Sequence, residues 1–282
     1  MTAEQLRPMF AELAERQSAL IARIVKSPNQ ADLSWLKGEW DTKQQWDFTL
    51  RRLRDMGYDF EAGRQDHSEH PFTTDFDLYD VRVTTHCYPD QLIPGFSASV
   101  HEGGHALYEQ GLREEDRRTP LCQAISLGIH ESQSRMWENL IAQSKPFWDF
   151  YGNVLREYFP KQLANVSNEQ IFRAINHVQP TLRRLDADEC TYNLHIILRF
   201  EIEVDLIEGN LHVADVPEKW NALVKQYLGL DVPDDAHGCL QDVHWSHGAI
   251  GYFPTYTLGN LYAAQMLEQI QRDVPELWNQ VG

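Results

Sequence analysis

Apolar residues recur at helical spacing along most of this chain, and that spacing restricts the fold to a helical class more than any other feature does. Leu6, Met9, Phe10, Leu13, Leu20, Ile21 and Ile24 repeat near a 3.6-residue period and predict a helix over residues 4–26. Asp41 is placed to cap a second helix through Trp46, Phe48, Leu50, Leu53 and Met56, with Gly57 at its end. Further helices are expected over residues 97–110 (closed by Gly111), 124–143, 186–208 (closed by Gly209) and 258–272, with Pro217 in the first turn of another. Ser167 and Gln170 form a capping box ahead of Ile171 and Phe172. Only residues 80–88 alternate as a strand does, and Pro89, Pro94 and Gly95 punctuate the stretch after them. The expectation is an all-α protein with one small β-sheet near residues 78–90. No internal repeat, low-complexity tract or flexible linker is visible, so residues 1–282 are read as a single domain.

Composition narrows the partners. Lys and Arg number 25 against 42 Asp and Glu, a net charge of −17 with His neutral. Such a surface argues against nucleic acid or an anionic membrane as the main partner, while leaving room for a local basic pocket. The apolar runs are short and interrupted by charge, so no membrane span is expected. Residues 1–7 lack a basic region followed by an apolar core, so no secretory signal is expected. Cys87, Cys122, Cys190 and Cys239 stand far apart, which fits reduced thiols in a cytoplasm and not a disulfide framework.

The sharpest local signal is His101-Glu102-Gly103-Gly104-His105. On a helix, positions i and i+4 share a face, so both imidazoles can reach one ion, and Glu102 stands where a carboxylate takes a proton from water. Two glycines inside a helix cost about 1 kcal/mol each against alanine, a cost that calls for a packing or access reason. A catalytic metal also needs a third protein ligand. The next predicted helix carries Gly128-Ile129-His130-Glu131-Ser132-Gln133-Ser134-Arg135, and by spacing Glu131, Glu138 and His130 all compete for that role.

With these motifs in place, the sequence resembles the M32 metallocarboxypeptidases, the thermostable carboxypeptidase Taq type. The resemblance rests on six motifs in order: His70-Pro71-Phe72; Asp80-Val81-Arg82-Val83-Thr84; residues 101–105; His130-Glu131-Ser132-Gln133; Arg184-Leu185-Asp186-Ala187-Asp188; and Gly238-Cys239-Leu240-Gln241-Asp242-Val243-His244-Trp245. Residues 251–256, Gly-Tyr-Phe-Pro-Thr-Tyr, continue the last of them.

The resemblance implies that His101, His105 and Glu131 bind one metal ion, usually zinc and with cobalt as a substitute, on an HExxH helix beside a Glu-bearing helix. It implies that Glu102 is the general base and proton shuttle, and that Arg184 holds the C-terminal carboxylate of a peptide. It places Arg82 and Gln241 among the substrate-binding groups. A planar guanidinium can hold a carboxylate by two parallel hydrogen bonds, so an acidic protein needs only one local cation for this task. Arg183 stands where the family has Ile or Val, which leaves open whether Arg183 or Arg184 faces the groove. Amide hydrolysis also needs oxyanion donors, and His244 and Tyr252, with Tyr256 in reserve, are the candidates.

The expected activity is release of single C-terminal residues from peptides. The alternatives are an HExxH dipeptidase or endopeptidase, and a metal-binding homologue with little turnover, because family members are longer at both ends. A homodimer is what the resemblance implies.

Overall fold

The computed structural model describes residues 1–281. Its helices in chain order begin with α1 (Ala3–Val25) and α2 (Thr42–Met56), followed by strands β1 (Gln65–His67), β2 (Thr73–Asp77) and β3 (Asp80–Thr85). Then come α3 (Ile93–Gln110), α4 (Leu127–Arg135), α5 (Lys145–Tyr158) and α6 (Asn168–Ile175). The last are α7 (Glu189–Ile207), α8 (Val216–Leu228) and α9 (Pro254–Asp273). The chain is mainly α-helical with one small sheet.

Local chemistry sets the helix ends. Thr2 and Gln5 close a capping box on α1, and Ser167 and Gln170 close one on α6. The Asp41 carboxylate accepts from the Gln44 N–H at the start of α2, and Gly57, at φ 95°, ends that helix in the left-handed conformation that glycine adopts without a Cβ penalty. Pro94 does not interrupt the chain. It occupies the first turn of α3, where its missing N–H is no loss, so α3 begins at Ile93 and not at residue 97.

The predicted helix over 124–143 starts later, at Leu127 behind the Ser126 cap, and beyond Arg135 it widens into a π-helical segment, Met136–Ile141. Asp188 caps α7, so that helix begins at Glu189 and not at residue 186. The final helix begins at Pro254, which puts Tyr256 on a helix and not in the preceding loop. The strand expected over 80–88 is β3, ending at Thr85. Two partners join it in the order β1-β3-β2, β1 parallel and β2 antiparallel. Sequence periodicity missed both partners because each is short, and it assigned nothing to α5.

The chain divides into two compact units and passes between them after Gln30, Asn176 and Thr257, the last of these inside α9. The first comprises Met1–Gln30 and His177–Thr257. Its central element is α7, buried at every position from Thr191 to Phe200, as expected of a helix packed on several sides, although Asn193, His195 and Arg199 are among those residues. Helix α1 packs on it through Phe10, whose ring meets Phe200 edge-on at 5.1 Å, and α8 packs on it as well.

The second unit comprises Ala31–Asn176 and Leu258–Gly282. A core including Trp40, Phe48, Leu53, Phe96, Val100, Phe147 and Trp148 binds α2, α3 and α5 together. Helix α3 also packs on α4, on its π-helical extension and on β2 and β3. No helix among the described residues is long and apolar enough to cross a membrane.

Candidate metal centre

His101 and His105 lie on one face of α3, and the side chain of Glu131 reaches them from α4. His101 Nε2 is 3.7 Å and His105 Nε2 3.4 Å from Glu131 Oε2. One donor atom from each of the three residues lies within 4.8 Å of the others. Donors about 2.0–2.2 Å from a common ion would stand roughly 3.3–3.6 Å apart in a tetrahedral arrangement, so the observed separations fit a divalent cation.

The glycines of the motif explain this approach. A Cβ on Gly104 would lie 2.7 Å from the Gln133 carbonyl oxygen and from the Ser134 Cα, both on α4. A Cβ on Gly259 of α9 would lie 2.7 Å from Glu131 Cγ. Helix α4 therefore fits between two positions that lack a side chain, which is the packing reason the sequence called for. Gly103 faces α2, where a Cβ would meet the Leu53 and Met56 side chains at 2.6 and 3.0 Å.

The outer nitrogens of both imidazoles are occupied. His101 Nδ1 donates to Glu138 Oε2 at 2.7 Å. His105 Nδ1 lies 2.6 Å from His130 Nδ1, and His130 Nε2 lies 2.6 Å from Glu109 Oε1. A carboxylate only accepts, so His130 donates from Nε2 and, when neutral, accepts from His105 at Nδ1. In the neutral form of each imidazole, both chains of hydrogen bonds leave Nε2 of His101 and His105 with a lone pair directed inward, the tautomer a metal ligand requires. His130 and Glu138, which rivalled Glu131 by spacing, thus stand behind the imidazoles and not between them.

Burial disfavours charge at His101, His105, Glu131 and Glu138, and the neighbours decide the outcome. Burial opposes protonation of His101, but Glu131 and Glu138 override it and push its pKa up to about 9. Burial lowers His105. It would raise Glu131 and Glu138, yet His101 and Arg135 hold both carboxyls below their usual range.

Glu102, also buried, is turned toward the sheet. The Thr73 hydroxyl on β2 lies 2.6 Å from Glu102 Oε2 and 3.1 Å from its carbonyl oxygen. Sequence reasoning did not single out Thr73, and nothing in its spacing would have marked it. Arg135 and Glu109 were also overlooked, although each stands four residues after a candidate ligand and hence on the same helix face.

In the unit built on α7, Arg184 is buried while Arg183 is exposed and lies near Asp186, so Arg184 is the enclosed member of the pair. Its Nε and Nη2 both lie 2.9 Å from Asp242 Oδ1, and Nη1 donates to the Tyr192 hydroxyl. Arg199, fully buried, approaches the other oxygen of Asp242. Burial pushes Arg199 down to about 10 despite that carboxylate, so it stays charged at neutral pH. Burial opposes ionisation of Asp242, but Arg199 and Arg184 lower its pKa.

His244 Nε2 is 3.1 Å from the Tyr256 hydroxyl, and the Tyr252 ring centroid lies 5.5 Å from that of His244. Gln241 braces the same loop, accepting from the Arg184 N–H and donating to the Leu182 carbonyl. The structure therefore gathers Arg184, Gln241, His244, Tyr252 and Tyr256 into one cluster. Arg82, in the other unit, is half-exposed on β3 with its guanidinium on Asp80. Asp188 caps α7, accepting from the Cys190 and Thr191 N–H groups.

A mainly helical scaffold, an HExxH helix and a carboxylate from the next helix define the class: a helical protein with a His-His-Glu set suited to a divalent metal. The profile of the family described as Carboxypeptidase Taq (M32) metallopeptidase matches residues 1–281. The chain belongs to the M32 metallopeptidase family. It is 46% identical over 277 residues to thermostable carboxypeptidase 1 of Thermus thermophilus, covering 98% of this chain and 54% of that protein. It is 41% identical over 276 residues to carboxypeptidase 1 of Bacillus subtilis, covering 98% and 55%. The crystal structure of an M32 carboxypeptidase from Deinococcus radiodurans R1 superposes with a TM-score of 0.96 at 43% identity, over 100% of this chain and 56% of that one. The chain thus spans about half the length of the curated relatives it matches.

Proposed function

We propose that this chain is a zinc-dependent metallocarboxypeptidase that releases single residues from peptide C-termini, working as one catalytic domain over residues 1–282. The observation that carries the reading is the convergence of His101 Nε2, His105 Nε2 and Glu131 Oε2, with Glu102 next to His101 on the same helix. Two imidazoles and one carboxylate are a donor set that zinc favours, and cobalt would substitute. A divalent ion held there supplies Lewis-acid polarisation to the scissile carbonyl and to water.

The chain's own residues do the rest. Glu102 takes a proton from the attacking water and later delivers it to the leaving amine nitrogen as the C–N bond breaks. Thr73 holds Glu102 in place for both transfers. Arg184 binds the free carboxylate of the substrate, a role supported by the family resemblance and by the enclosed guanidinium, whose Nε and Nη2 already share one carboxylate oxygen, Asp242 Oδ1. His244, Tyr252 and Tyr256 donate hydrogen bonds to the oxyanion. Four free cysteines support a reducing compartment, the cytoplasm, and family resemblance supports a homodimer.

Two comparisons test this reading. Glu102→Gln should retain metal and lose at least ~100-fold in turnover; undiminished hydrolysis by that variant removes the mechanism. A peptide with a free C-terminus should be cleaved in strong preference to its C-terminal amide, and equal cleavage would point to an endopeptidase.

A further inference from the structure

Arg135 closes a ring of four side chains that includes the His101 imidazole. Its Nε donates to Glu131 Oε1 at 2.9 Å, and its Nη1 to Glu138 Oε2 at 3.2 Å. Glu138 Oε2 in turn accepts from His101 Nδ1 at 2.7 Å, while His101 Nε2 faces Glu131 Oε2 at 3.7 Å. All four side chains are largely buried, with Arg135 13% exposed and none above 18%. The two carboxylates flanking His101 are therefore tied to each other by one guanidinium, and Glu131 has its two oxygens assigned to different partners. Oε1 accepts from Arg135, and Oε2 faces the histidines and also accepts from the Ser134 hydroxyl at 3.1 Å.

The backbone supports this division of labour. Arg135 is the last residue of α4, and the widened π-helical segment begins at the next residue. That segment carries Glu138 and Asn139, whose side-chain oxygens accept from Arg135 Nη1 at 3.2 and 3.3 Å. π-Helical turns cost regular hydrogen-bond geometry and are frequent at functional sites. Here the turn presents both acceptors to a single donor atom.

We propose that Arg135 is a positioning residue that restricts Glu131 to a single metal-facing oxygen and couples it to Glu138 behind His101. The proposal rests on the reading of His101, His105 and Glu131 as the metal-binding set. A carboxylate with both oxygens free can clasp an ion at two points and occupy coordination space that a catalytic metal must keep open. A guanidinium that bridges the two carboxylates prevents this, because it holds one oxygen of Glu131 by a charge-assisted hydrogen bond and supplies a positive charge to a site with three nearby carboxylates, Glu102, Glu131 and Glu138.

The test uses the full chain loaded with cobalt(II), whose visible absorption reports coordination number, together with chelator competition for metal affinity. Arg135→Gln should weaken metal binding by roughly 10–100-fold, the range expected for outer partners of a metal ligand. It should also shift the cobalt spectrum toward the weaker absorption of a higher coordination number. Arg135→Lys keeps the charge without the fork; it should recover part of the affinity and none of the spectrum.

Affinity within twofold of the parent chain and an unchanged spectrum in Arg135→Gln would overturn the proposal. Weakened affinity with the parent spectrum would also overturn it, since the residue would then act by charge alone. If the glutamine variant fails to fold, the lysine variant carries the same two readouts, and a parental spectrum there overturns the fork argument. A parent chain that binds no cobalt defeats the metal reading and this inference with it, whereas a failure confined to the Arg135 variants defeats the inference alone.

Discussion

The Thr73 hydroxyl sits 2.6 Å from Glu102 Oε2, so the small sheet reaches the HExxH helix at the residue assigned to proton transfer. A hydrogen bond to a charged group contributes about 1.5–3 kcal/mol. Thr73→Val removes it at nearly constant shape. Turnover is expected to fall roughly 10–100-fold at unchanged metal content, with Thr73→Ser recovering most of it. Steady-state kinetics beside metal analysis decides, and a valine variant as fast as the parent chain would dismiss the contact as incidental.

Gly104 allows α3 and α4 to touch backbone to backbone. In Gly104→Ala the new methyl group meets the Gln133 carbonyl and the Ser134 Cα, which cannot rotate aside as a flexible side chain can. Overpacking of this kind costs about 1–3 kcal/mol. The variant should melt lower and also lose metal affinity, because the displaced helix carries Glu131. Gly103→Ala meets only the ends of Leu53 and Met56 and should be the milder change. Calorimetry with metal titration checks both, and the reverse ranking would refute the packing argument.

His130 accepts from His105 and passes the interaction on to Glu109. His130→Ala leaves the His105 Nδ1–H without its acceptor. Metal affinity should drop roughly 10–100-fold, and Glu109→Gln should move it the same way by less. Competition with a chromogenic chelator measures both. Equal affinity in His130→Ala and the parent chain would show that the relay does not orient the ligand.

Glu203 is buried on α7, and its Oε1 accepts from Trp245 Nε1 at 2.9 Å. Burial raises its pKa against the opposing pull of Trp245 and the Gly251 N–H. A carboxyl raised on folding favours the folded state below its ordinary value of 4.5, and that contribution is lost as pH climbs through the raised one. Glu203→Gln keeps an acceptor for Trp245 without the charge. Its gain in melting temperature over the parent chain should be small near ~pH 4 and grow toward ~pH 8. A gain independent of pH would show that Glu203 titrates as it does in the unfolded chain.

Much of this architecture was legible before any coordinates. Asp41, Gly57 and the Ser167–Gln170 pair act through local hydrogen bonds and backbone conformation, and local chemistry leaves a local trace. His101, Glu102 and His105 were legible for the same reason, since four residues of helix fix their common face. The part that escaped depends on pairings between segments distant in sequence. β1 and β2 are defined by their partner β3, and no alternation within three or five residues announces them. Thr73 meets Glu102 only because the sheet packs on α3. Pro94 was read as punctuation because a proline that breaks a helix and one that begins it look alike without the fold. Glu138 and His130 were seen as rivals to Glu131, and only the direction of their side chains separates the ligand from its supports.

The close seating of α4 between Gly104 and Gly259 bears on the stretch from Gly111 to Ser126 that joins the two ligand-bearing helices. Surface contact already sets the distance between the rods, so the connector is freed from acting as a ruler. Insertions or deletions there should leave the ligand spacing intact, whereas a single methyl group at either glycine would disturb it.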